Sequence, residues 1–180
     1  MSQAHTYLNR MPTVNGATIV EHRNALTGSI IDTIHTRFPE AVSQTKYIAE
    51  SFKGATRLDT ARNIWNFLRN QIQYVKDSSK KQRVKAPNRF LYDGTGDCKS
   101  FAFFTAGILK NLGMPTSFRY ASYWDSDNPN KNIPTHIYTV TKDEMGNEII
   151  IDAVYHLFDA EKTPAKKKIL IQWMLSISQA

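Results

Sequence analysis

The apolar positions of the chain change period partway along it. "SIIDTIHTRF" sets Ile30, Ile31, Ile34 and Phe38 at helical spacing ahead of Pro39. "PEAVSQTKYIAESFKG" carries the pattern on through Val42, Ile48, Ala49 and Phe52, which predicts a second helix that starts at Pro39 and ends at Gly54. In "TRLDTARNIWNFLRNQIQYV", Ala61, Ile64, Trp65, Leu68 and Ile72 share one face, and Thr56 with Asp59 makes a capping-box pair. From Lys99 to Leu112 the chain is apolar on nearly every side, the mark of a central buried helix; Gly113 suits its C-cap and Pro115 prevents its continuation. Beyond Pro115 come short β-branched and aromatic runs, "TSFRYASYW", "THIYTV" and "NEIIIDAVY", separated by "DSDNPNKNIP" and "DEMGN". Helices followed by antiparallel strands predict an α+β domain. The tail "KKILIQWMLSIS" fits a strand or a helix.

The chain has 180 residues, 41% of them hydrophobic and 11% aromatic, which fits one domain with a real core and excludes disorder. Weak periodicity makes residues 1–25 an expected N-terminal arm, 26–163 the domain, and 164–180 an apolar segment that packs on the domain or serves association. No apolar stretch follows a basic start, as a signal peptide requires, and no run reaches the roughly 18 residues of a membrane span, so a cytoplasmic setting is expected. The single cysteine excludes an internal disulfide and any metal site built on several thiolates; no cofactor is expected. The net charge of +7 is scattered, with the densest runs at Lys76–Lys85 and Lys166–Lys168. Neither run carries a nucleic-acid motif, and both read as solvated loop charge.

That cysteine, Cys98, sits in "YDGTGDCKSFAFFTAGILKNLG", at the start of the buried helix. Unpaired backbone N–H groups and the positive end of the helix dipole favour its thiolate there. The same N–H groups, that of Cys98 included, suit the oxyanion of an acyl-transfer intermediate. A cysteine is equally at home as a small buried hydrophobe, so the position alone does not decide.

A nucleophilic cysteine needs a base, and the base needs an orienter. Of the five histidines, His136 opens the strand "HIYTV" after a polar loop, and Asp152 lies within the next strand. A turn centred on Glu144 would place Thr141 opposite Asn147, Val140 opposite Glu148 and His136 opposite Asp152, with facing Cβ atoms about 4.5–5.5 Å apart. A one-residue slip would turn Asp152 to the other face. An aspartate in "IIIDAV" is costly to bury without a partner, and His136 is the expected one.

The order Cys, His, Asp, with Cys98 opening a helix and His136 and Asp152 on successive strands, resembles the transglutaminase-like superfamily of papain-fold cysteine enzymes. The stretches that carry the resemblance are "ARNIWNFLRNQIQYV", "GTGDCKSFAFFTAGILKNLGMPTSFRYAS", "THIYTV" and "GNEIIIDAVY", from about Asp59 to Ala160. It implies a papain-like transglutaminase-core fold, with Cys98 as nucleophile, His136 as general base and acid, and Asp152 as orienter. "APNRFLYDGTGDCKSFA" further resembles the short members encoded by bacteriophages. Ile137 and Tyr138 follow the histidine where many members carry a tryptophan or another aromatic beside it. Tyr92 is the candidate side-chain donor to the oxyanion. A zinc set of Cys98, His136 and His156 lacks supporting spacing.

The expected function is hydrolysis of a peptide or amide bond through an acyl-thioester on Cys98, on a protein, peptide or peptidoglycan-peptide substrate. The loop Trp124–Pro134 is placed to cover the site. The alternative is a non-catalytic virion or scaffold protein that keeps the fold as a binding module and uses its apolar tail for a virion partner or another copy. The corresponding settings are the host cytoplasm and the virion.

Overall fold

The structure is a computed structural model and describes residues 2–15, 18–123 and 133–163, with the backbone of 166–172. In chain order the elements are α1 (Gln3–Leu8), β1 (Ile19–Arg23), α2 (Thr27–Thr45), a 3-10 helix (Ala49–Phe52), α3 (Arg57–Gln71), β2 (Gln73–Tyr74), β3 (Lys81–Lys85), α4 (Pro87–Asp93), β4 (Thr95–Gly96), α5 (Cys98–Asn111), β5 (Ser117–Ser122), β6 (His136–Lys142), β7 (Glu148–Ile151) and β8 (Lys166–Gln172). The main sheet has the order β7-β6-β5-β8 and is antiparallel throughout. β1 pairs with β3 antiparallel, and β2 with β4 in parallel. The fold is α+β, with helices around a buried central helix that packs on an antiparallel sheet.

That helix is α5, whose residues from Cys98 to Leu109 are all buried. One flank meets α2 at Gly107. A Cβ there would stand 2.7 Å from Thr45 Oγ1 and 2.9 Å from the Ala41 carbonyl, so the missing side chain lets the two helices close. Asn111 Nδ2 fastens the same seam, donating to Val42 O at 2.8 Å and Thr45 Oγ1 at 3.0 Å. Another flank lies on the sheet, where Ala102, Phe103 and Ala106 meet Phe118, Tyr120 and Ile137, and Thr139 Oγ1 donates to Ala102 O at 2.9 Å. A third flank joins α3 and α1 through Phe104, Phe67, Phe52 and Tyr7. Each buried ring of this kind contributes about 1.5–3 kcal/mol of transfer free energy.

The capping box predicted at the start of α3 is present: Thr56 Oγ1 accepts from Asp59 N at 3.0 Å, and Asp59 Oδ2 accepts from Thr56 N at 3.2 Å. Four expectations are corrected. Pro39 does not start a helix but lies inside α2, whose buried face runs unbroken through Ile34, Phe38, Ala41 and Thr45. Packing of that face on α5 outweighs one lost helical hydrogen bond. The helix expected up to Gly54 instead ends at Thr45 and is followed by the 3-10 helix. The N-terminal segment, expected as an arm, carries α1 and β1, and buries Ala4, Tyr7 and Met11. The basic stretch up to Tyr92, expected as loop, holds β3 and most of α4. Residues 166–172 of the tail form a strand beside β5, with Arg119 opposite Leu170. No helix among the described residues is long and apolar enough to cross a membrane.

Candidate active site

The turn before Cys98 is fixed by two features. Gly96 passes so close to its neighbours that a Cβ would fall 2.7 Å from the Phe90 ring and 2.8 Å from Ser100 Cβ. Asp97 is the N-cap of α5 and accepts from Lys99 N at 3.1 Å. The Lys99 side chain folds back over the turn. Its buried ammonium is hydrogen-bonded to the Asp97 carboxylate and to Gln82 Oε1 at 2.7 Å, with Asp77 Oδ2 at 3.6 Å. Burial opposes the ammonium, but the charges of Asp97, Cys98 and Asp77 outweigh it and raise the Lys99 pKa above its ordinary value. Cys98 itself is 8% exposed, with its N–H in the first turn of the helix, where no intrahelical acceptor exists.

His136 opens β6 and Asp152 follows β7 directly. His136 Nε2 lies 2.7 Å from Asp152 Oδ2, and the Cys98 side chain acts on the same ring, whose Nδ1 is not used by Asp152. The second Asp152 oxygen, Oδ1, accepts from Val154 N at 3.1 Å. Trp65 Nε1 donates to the Asp152 carbonyl at 3.1 Å and ties α3 to the same corner. Burial alone would lower the His136 pKa. The hydrogen bond to Asp152, the bond and charge of Cys98 and the charge of Asp152 overcome this and raise it to about 10. The ring is therefore an imidazolium at neutral pH, facing a sulfur on one side and a carboxylate on the other.

The three residues meet, but not through the expected register. β6 and β7 pair as Thr141 with Ile149 and Val140 with Ile150, which centres the turn on Met145 instead of Glu144. Asp143 sets this turn: its Oδ1 accepts from Met145 N at 2.9 Å and Asn147 N at 2.7 Å, and Gly146 adopts a φ of 90°. In that register Asp152 extends the ladder opposite Tyr138, two residues from His136 and so on the same face. The shift preserved side-chain parity, and the diagonal pair closes the hydrogen bond.

Tyr92 does not reach the site. It is 62% exposed on α4, with the Arg89 guanidinium 5.8 Å from its ring centroid. The tyrosine that does is Tyr74, paired with Gly96 across β2 and β4. Burial, then the charges of Cys98, Asp97, Asp152 and Asp77, push its pKa well up, so its hydroxyl stays protonated. Its signal in the sequence was the alternation Ile72, Gln73, Tyr74, Val75, read as the end of a helix that in fact stops at Gln71. His156 stands outside the arrangement, edge-on against Tyr155 with ring centroids 4.6 Å apart. Among the described residues no group of three or more His, Cys, Asp or Glu is placed to hold a metal ion. Most of the loop expected to cover the site, residues 124–132, lies outside the described residues.

The chain matches the transglutaminase-like superfamily over residues 45–160, well over half its length, and belongs to that superfamily. Among solved structures it is similar to a proposed protease from Parabacteroides distasonis, with a TM-score of 0.54 and 13% identity over 69% of this chain and 26% of that one. It is also similar to a proposed cysteine protease from Cytophaga hutchinsonii, with a TM-score of 0.43 and 16% identity over 83% of this chain and 46% of the other. Calcium-bound LapG from Legionella pneumophila gives a TM-score of 0.46 and 18% identity over 74% of this chain and 76% of that one. The chain thus spans less than half the length of the first two proteins, and all three likenesses are likenesses of fold. None of the curated proteins matches it.

Proposed function

We propose that the chain is a cysteine hydrolase of peptide or amide bonds that works through an acyl-thioester on Cys98. The observation that carries this reading is the His136 ring, bonded to Asp152 Oδ2 at 2.7 Å through Nε2, with the Cys98 side chain acting on the same ring. An inert core thiol needs no such partner.

In this reading the Cys98 sulfur attacks the substrate carbonyl carbon. The Cys98 N–H and the Tyr74 hydroxyl receive the oxyanion. The His136 imidazolium gives its proton to the leaving amine as the C–N bond breaks, and an acyl-thioester remains. Water then attacks the thioester, and the now neutral His136 takes its proton. The C–S bond breaks, releasing the acid and restoring the imidazolium beside the thiolate. Asp152 holds the ring orientation throughout. Tyr74, paired with Gly96 two residues before Cys98, is 40% exposed, so solvent reaches that flank, which favours water over an incoming lysine amine. The substrates are proteins, peptides or the stem peptides of peptidoglycan. A bacteriophage origin rests on the stretch around Cys98 alone and alters no step.

The test is iodoacetamide labelling of the native protein at about pH 6, below the ordinary thiol range. The chain has one cysteine, so any adduct is on Cys98. The expected result is rapid labelling that also abolishes hydrolysis of a mixed peptide substrate. Labelling that needs denaturant, or that leaves hydrolysis intact, overturns the assignment.

A further inference from the structure

Three cations rest on aromatic rings that are linked to the His136–Asp152 corner, instead of on carboxylates. Arg62, Trp65 and Arg69 are spaced three and four residues apart on α3 and so form one stripe. The Arg69 guanidinium lies 5.7 Å from the Trp65 ring and donates to Ala153 O at 3.5 Å, one residue beyond Asp152. The Arg62 guanidinium lies 4.4 Å from the Phe158 ring, which packs edge-on against Trp65 with centroids 5.9 Å apart. On the other side the Lys162 ammonium stands 5.2 Å from the Tyr123 ring, whose centroid is 5.7 Å from that of His136.

Arg62, Arg69 and Lys162 are exposed, and none forms an ion pair among the described residues. The neighbouring carboxylates are already engaged. Asp152 serves His136 and Val154, Asp159 accepts from Ile150 N at 2.8 Å, and Glu161 holds Arg119 and the Tyr138 hydroxyl. The Tyr123 hydroxyl is buried and has no hydrogen-bond partner among the described residues. The surroundings therefore hold three positive charges with no ion pair among the described residues, held over rings of which Trp65 bonds the Asp152 carbonyl and Tyr123 neighbours His136.

Resting on the hydrolase reading, we infer that the site selects acidic substrates: peptide segments with Asp or Glu side chains on both sides of the bond presented to Cys98. Arg69 and Arg62 receive carboxylates on the α3 side, and Lys162 receives them on the β6 side. Cations held over rings keep their charge and lose little further freedom when a carboxylate arrives. Their combined field also concentrates acidic segments at the mouth of the site.

The sulfur itself reports this field. Native protein is reacted with iodoacetamide and with the anionic sulfonatoethyl and cationic trimethylammonioethyl methanethiosulfonates, and each rate is divided by the rate with free cysteine. Iodoacetamide measures whether Cys98 is reactive at all, so failure of the nucleophile reading shows there and nowhere else. The expected anionic-to-cationic ratio is raised by roughly tenfold or more at low salt, within the range known for focused fields. It should fall towards unity in molar salt and in the surface variant Arg62→Gln/Arg69→Gln/Lys162→Gln. A reactive Cys98 with a ratio near unity, or one raised equally in that variant, overturns the inference.

Discussion

The two ends of α5 are built on opposite principles. The C-terminal half is a seam of small and apolar contacts, where Gly107 lets α2 close and Asn111 stitches the helices together. The N-terminal turn buries Asp97, Cys98, Lys99 and Ser100 together, and the Ser100 hydroxyl has no hydrogen-bond partner among the described residues. A charge is expensive to bury even when paired, and a hydrophobic replacement is often no worse for stability. The seam thus holds the helix, while the N-terminal turn accepts a cost to fix the backbone around one sulfur.

The largest expected effect lies at that turn. Lys99→Met would leave the Asp97 carboxylate buried without its cation and should cost about 3–5 kcal/mol in urea denaturation at neutral pH. The deficit should shrink as pH falls, because a carboxylate without its cation is more easily buried protonated. A change below 1 kcal/mol at every pH, taken as roughly the value of an exposed pair, would show that the turn is solvated.

Gly107→Ala tests the seam. The added methyl meets Thr45 Oγ1 and the Ala41 carbonyl at under 3 Å, so α2 must shift, at a cost of about 1–3 kcal/mol despite the better helix propensity of alanine. A stabilised variant would mean that the helices are not closed there. Asn111→Ala removes donors from Val42 O and Thr45 Oγ1 and should cost about 0.5–1.5 kcal/mol in the same assay. The smallest effect on stability returns to the other end. Cys98→Ala should change the melting midpoint little while abolishing hydrolysis, the mark of a side chain kept for chemistry. A loss comparable to that of Gly107→Ala would make Cys98 a packing residue.

The same contrast governs what the sequence reveals. α5 was legible because its burial is nearly complete, and α3 because its capping box and apolar face agree. The pairing of His136 with Asp152 was legible through parity alone: the turn is misjudged by one position, yet the aspartate stays on the histidine's face. Pro39 misled because local propensity is weak against a buried face that extends past it. Tyr74 was missed because a two-residue parallel pairing has no period, and its partner Gly96 lies more than twenty residues away. α1 and the β1–β3 ribbon were missed because their contacts are tertiary: Tyr7 meets Phe52 and Phe67, and Glu21 meets Lys81.

The chemistry of the site turns on the proton on His136. Its pKa is raised from the ordinary value of 6.5 to about 10, so the stability it contributes is complete below the unfolded value and is lost as pH rises through about 10. Hydrolysis should fail over the same basic limb, since the leaving amine then finds no proton. The most direct measurement is the ring-nitrogen NMR titration of His136 in the native protein and in Asp152→Asn. The imidazolium should persist until about pH 10 in the native protein, and the midpoint should move down in the variant. A native ring that titrates near the ordinary histidine value, or a midpoint indifferent to Asp152, would contradict it.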